Sequence, residues 1–136
     1  APNLDITLEA NKIPRGENSY HKNISGHFSG TYSQIGPNGK LWKSAGTPPA
    51  GVSIKAAMVN TYVQPSKTAT GDGDIPTSEA GALTVNFGDS EENATNPQTT
   101  ANPAYTAYYR SQLQTLATAP TGAIGAQTIT LKYDES

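Results

Sequence analysis

The sequence predicts an all-β domain, an Ig-like Greek-key β-sandwich of about seven strands, and three observations carry that expectation. Seventeen threonines, seven tyrosines, thirteen glycines and ten prolines among 136 residues suit short strands joined by turns. Apolar residues recur at every second position in several short runs, the period of a strand with one face on a core and one in water. Turn signals separate those runs, as a sandwich requires. The length fits one domain spanning residues 1–136, with no internal repeat and no second domain.

Taken in order, residues 3–10 (NLDITLEA) place Leu4, Ile6, Leu8 and Ala10 on one face and Asn3, Asp5, Thr7 and Glu9 on the other. This stretch is either the first edge strand of the sandwich or a tail that adds to a neighbouring sheet by β-strand addition. Residues 11–22 are polar and broken by Pro14 and Gly16, a hinge or a long loop. Ile24, Gly26, Phe28, Gly30 and Tyr32 then share one side of a strand whose inward glycines suggest a bulge or a close backbone approach.

Gly36-Pro37-Asn38-Gly39 is a turn signal whose Asn-Gly fits a hairpin, with Leu41-Trp42 as a short strand after it and Ser44 to Gly51 as a loop. Val52, Ile54, Ala56, Met58 and Tyr62 keep one register and mark the expected central strand. A long polar region runs from Gln64 to Gly81 before a strand carrying Leu83, Val85 and Phe87. Gly88 to Asn102 reads as an exposed loop. Residues 104–117 fit a strand with Tyr105, Ala107, Tyr109 and Leu113 inward. They also fit a helix capped by Asn102-Pro103, but the tyrosines and threonines favour the pleated surface. Gln127, Ile129, Leu131 and Tyr133 form the inward face of a last strand.

Composition excludes some chemistry. With no cysteine there is no disulfide, thiol nucleophile or thiolate metal site. Charged residues are 15% of the chain and the net charge is −2, so neither nucleic acid nor an anionic membrane surface is an expected partner. No apolar run has the length of a transmembrane helix. The sequence opens without a basic-then-apolar leader, which suits a mature secreted chain and a trimmed one alike.

The two histidines, His21 and His27, lie near no serine or carboxylate in a catalytic pattern and fall on opposite sides of a strand-like segment, so they read as surface residues. Asp72 and Asp74 in Gly71-Asp72-Gly73-Asp74 are the best pair for a hard cation, but the rest of a calcium loop is missing and Glu79 is a poor closing ligand. A solvated turn in which glycine supplies positive φ is the simpler reading. Asp89-Ser90-Glu91-Glu92 reads as a soluble loop. Two glycosylation sequons, at Asn23 and Asn93, are within chance at this length. No enzyme, no cofactor and no metal is expected. Trp42, with Tyr20 and Tyr32, could instead stack on sugar rings, which makes a self-contained carbohydrate-binding sandwich the alternative function.

The C-terminal thirty residues carry a resemblance. Tyr105-Thr106-Ala107-Tyr108-Tyr109, the loop Thr118 to Gly125, and the alternating strand Gln127 to Tyr133 resemble the end of a chaperone–usher fimbrial subunit. The N-terminal run, with Ile6-Thr7 ahead of Pro14, is similar to the extensions of the cysteine-free, class-5-type subunits. Two departures stand out: Asp134-Glu135-Ser136 follow the final tyrosine, and the disulfide of many such subunits is absent.

The resemblance implies a structural pilus subunit, or a tip adhesin. Exported through the periplasm to the cell surface, it would polymerise by donor-strand complementation and contribute to adhesion. Residues 1–13 would form the donor strand, with Leu4, Ile6, Leu8 and Ala10 inserting, and residues 14–136 the sandwich body. Ile129, Leu131 and Tyr133 would lie on the last strand, beside the groove and facing the chaperone. Its partners would be further copies or other pilus subunits, a periplasmic chaperone and an outer-membrane usher, with a host glycan or protein as receptor.

Overall fold

A computed structural model describes residues 12–24, 38–85 and 108–134. The described chain is all-β, with no helix and six strands. They are β1 (Lys22–Ile24), β2 (Gly39–Ala45), β3 (Val52–Val59), β4 (Leu83–Val85), β5 (Tyr108–Thr115) and β6 (Thr128–Lys132). One sheet has the order β1-β5-β3 and the other β4-β2-β6, every pairing antiparallel.

The period-two pattern decides which side chains meet between the sheets. On β2, Leu41 and Lys43 are buried while Trp42 between them turns to the outer face. On β3, Ile54 and Ala56 are buried; on β5, Tyr109 and Leu113 point the same way. Leu41, Ile54, Ala56, Ile75 and Val85 form the core, with Met58, Leu83, Tyr109 and Leu113 packed against it. Gly39 opens β2 where a Cβ would stand 2.5 Å from the Val85 carbonyl oxygen, a strand approach only glycine permits.

The two flanks of the sandwich differ. On one, residues 73–76 pass from sheet to sheet. The Ala56 N–H bonds Gly73 O and the Ile75 N–H bonds Ile54 O on β3, and the Lys43 N–H on β2 then bonds Pro76 O at 2.8 Å. Ile75 is carried inward between the sheets and seals that flank at 5% exposure. On the other flank the outermost strands are β1 and β6, which do not pair with each other.

Several expectations change. The strand at 52–59 is not central: β5 holds that place, because among the described residues the chain on the other side of β3 makes a single bridge, Lys55 to Asp74. Tyr62 lies beyond the end of β3, 54% exposed and edge-on to the Tyr108 ring at 5.9 Å. Leu41-Trp42 belong to a seven-residue strand at the centre of its sheet, not a short one, and β2 takes in Ser44 and Ala45. The helical alternative fails for 108–115, where eight consecutive residues pair with β3. Phe28, Tyr32, Phe87 and residues 104–107 lie outside the described residues.

Candidate functional site

A groove of about 550 Å³ runs between the sheets along the β1/β6 flank. Its floor is apolar. Ile54 and Leu113 rise from β3 and β5, Ile24 and Tyr109 face each other across the β1–β5 pairing, and Ile124 and Ile129 close it from the C-terminal side. Burial pushes the Tyr109 hydroxyl pKa above its ordinary value. Ile24 is 56% exposed and Ile129 and Leu131 are 38% and 40% exposed, although all three lie on inward faces. Their exposure follows from position: each sits on an outermost strand, with a neighbour on one side only among the described residues.

β6 gives this groove a second property. Among the described residues it pairs only with β2, from Lys40–Lys132 to Ala45–Thr128, with a bulge between Lys43 and Ala45. Its other edge lies on the side of the groove, where Gln127 and Ile129 line it, and the edge of a sheet is where an added strand can pair. Of the three residues expected on the last strand, Ile129 lines the groove, Leu131 lies on the same inward face opposite Leu41 without lining it, and Tyr133, partly buried, lies one residue past the strand's end. Leu4, Ile6, Leu8 and Ala10 fall outside the described residues.

The rim is built from segments far apart in sequence. Tyr20 and Lys22 share the inward side of the β1 segment with Ile24, and Lys12 and Ile13 precede them. Lys67 joins them with its ammonium 5.5 Å from the Tyr20 ring centre. Three lysines therefore border the groove and no acidic residue is among its described lining.

Lys67 is positioned by a polar clamp on the outer face of the β1-β5-β3 sheet. Residues 60–72 fold across that face onto Gln112, whose amide donates to Ser19 O at 2.9 Å and Thr68 O at 3.0 Å and accepts from the Thr70 N–H. The His21 ring accepts from the Ser66 N–H at Nδ1 and meets Val63 O at 3.2 Å through Nε2, while the His21 N–H bonds Ser66 O. His21 is 4% exposed, so it is not a surface histidine: the loop roofs it over. Arg110 grips Asp72 with two bonds, at 2.8 and 2.6 Å. The Arg110 hydrogen bonds hold the Asp72 carboxyl below the usual aspartate range, and the same pairing raises Arg110.

Asp72 is therefore not in a solvated turn; its side chain is 8% exposed against Arg110. Asp74 pairs with Lys55 at 2.6 Å and Glu79 with Lys132 at 2.8 Å, so the three carboxylates considered for a cation each face a side-chain cation instead. The Lys132 contact lowers the Glu79 pKa and raises that of Lys132. Among the described residues no three acidic or histidine side chains gather as a metal site.

Trp42 is half-buried on the outer face of its sheet, opposite Thr130 and away from the groove, beside a Ser44–Thr130 hydroxyl contact of 2.6 Å. The buried Lys43 ammonium, absent from the sequence expectations, donates to Gly46 O and to Gln127 Oε1. The alternation through Leu41 would have shown that Lys43 points inward.

Comparison with protein-family models, with curated proteins and with solved structures finds no match.

Proposed function

We propose that this chain is a structural subunit of a bacterial surface fimbria, polymerising when the N-terminal strand of one copy fills the groove of the next. One observation supports the reading above the others: an apolar groove bounded by the C-terminal strand β6, which among the described residues pairs on one edge only. A strand lying there would pair with the backbone of β6 and cover Ile24 and Ile129, which line the groove and are exposed on inward faces. Residues 3–10 have the matching pattern, with Leu4, Ile6, Leu8 and Ala10 on one side.

Each large aliphatic side chain so buried stabilises by about 1.5–3 kcal/mol. In this reading a periplasmic chaperone holds the groove until the next subunit displaces it at an outer-membrane usher, and the finished fibre contributes to adhesion at the cell surface.

Deleting residues 1–10 tests it. The shortened chain should lose solubility or its cooperative melt, and a synthetic peptide of residues 1–10 should restore both. A shortened chain that melts cooperatively as a monomer, unchanged by the peptide, would remove the basis for this reading.

A further inference from the structure

The rim of the groove makes a selection that its apolar floor cannot. Lys22 and Lys67 border it from two segments far apart in sequence, and its described lining holds no aspartate or glutamate. The chain as a whole has 9 basic and 11 acidic residues, so this local excess of positive charge is not a reflection of composition. Lys22 is aimed there by register: it lies opposite Ser111, on the same side of the sheet as Ile24 and Tyr109. Lys67 is held there by its loop, whose backbone oxygen accepts from the Asn18 amide at 3.2 Å. An occupant with a basic outer face would be repelled, whereas one with an acidic outer face would be drawn in along the groove.

Residues 3–10 carry such a face. With Leu4, Ile6, Leu8 and Ala10 inward, Asp5 and Glu9 stand on the opposite side, among Asn3 and Thr7, with no basic residue in the run. We propose that the lysine rim, through Lys22 and Lys67, selects strands that alternate apolar with acidic residues, and that Asp5 and Glu9 of a second copy are its counter-charges. This rests on the strand-donation reading and adds to it a determinant of partner choice and of association rate.

Charges on a solvated rim act at encounter more than in the final complex, and salt screens them within about 10 Å at 0.1 M. Assembly of the full chain, followed by light scattering, should therefore be about tenfold slower at high than at low ionic strength. The double substitution Lys22→Glu and Lys67→Glu should slow assembly about as much at low salt. So should Asp5→Lys with Glu9→Lys in an otherwise unchanged chain. A chain carrying all four reversals should regain the original rate and its salt dependence, the result that separates charge pairing from damage to the fold.

If the chain assembles at a rate indifferent to salt and to these substitutions, the rim has no such role and strand donation stands without it. If the four-fold variant stays as slow as either double variant, the pairing of Asp5 and Glu9 with the rim is wrong. If the unaltered chain does not assemble at all, both this inference and the strand-donation reading fall.

Discussion

Replacing Arg110 with alanine should destabilise the domain by about 2 kcal/mol, the cost of removing the charge-assisted hydrogen bonds of a partly buried carboxylate. The guanidinium makes both hydrogen bonds to Asp72, and the two side chains are only 20% and 8% exposed. Chemical denaturation at neutral pH measures this directly. The Asp72 carboxyl is held below the usual aspartate range, chiefly by its hydrogen bonds to Arg110. The contribution is therefore complete above the unfolded aspartate value, about 3.9, and is lost as pH falls through the lower folded one. The gap between the original chain and R110A should accordingly narrow on acidification below about pH 4. A gap constant from pH 7 to pH 2 would mean that Arg110 acts by packing alone.

Ile129→Asp should leave the monomer folded and lower assembly by roughly a hundredfold. Ile129 is already 38% exposed on an outermost described strand, so a carboxylate there can keep its water in the monomer. Once a strand covers the groove, the same carboxylate lies against apolar side chains and must lose its hydration. Loss of about 2 kcal/mol of apolar contact plus that desolvation cost accounts for the expected factor. The comparison needs two readouts, a thermal melt for the monomer and sedimentation for the assembled fraction. Assembly at the original level would exclude Ile129 from the joint.

These two sites were not equally visible in the sequence. The alternation of Val52, Ile54, Ala56 and Met58, of Tyr109 and Leu113, and of Ile129 and Leu131 yields the inward faces found in β3, β5 and β6. That regularity was enough for an all-β chain of two antiparallel sheets. It could not reveal strand order, because β5 becomes central through pairings with β1 and β3 that are distant along the chain.

Nor could it reveal the outer-face clamp. Gln112 and His21 occupy positions that alternation assigns to water, and they are buried only because residues 60–72 fold back over them. A polar loop rich in turn residues gives no local sign of where it will lie. The lysine rim is hidden for the same reason, since Lys67 joins Lys22 only once that loop is clamped. Ile129 and Leu131 were legible as inward-facing; their partial exposure at an outermost strand was not.

The most direct measurement uses the absence of cysteine from the chain. A variant with Ile6→Cys and Ile129→Cys carries one thiol in the N-terminal strand and one on β6, and a disulfide forms only where the two Cα atoms come within about 7 Å. Neighbouring variants with the first cysteine at Leu4 or Leu8 cover the other inward registers. After mild oxidation and denaturing electrophoresis, strand donation between copies predicts a ladder of covalent multimers for at least one register. Single-cysteine controls should yield nothing beyond dimers. A monomer that becomes internally cross-linked, with no ladder in any register, would place the N-terminal strand in its own groove and contradict the account.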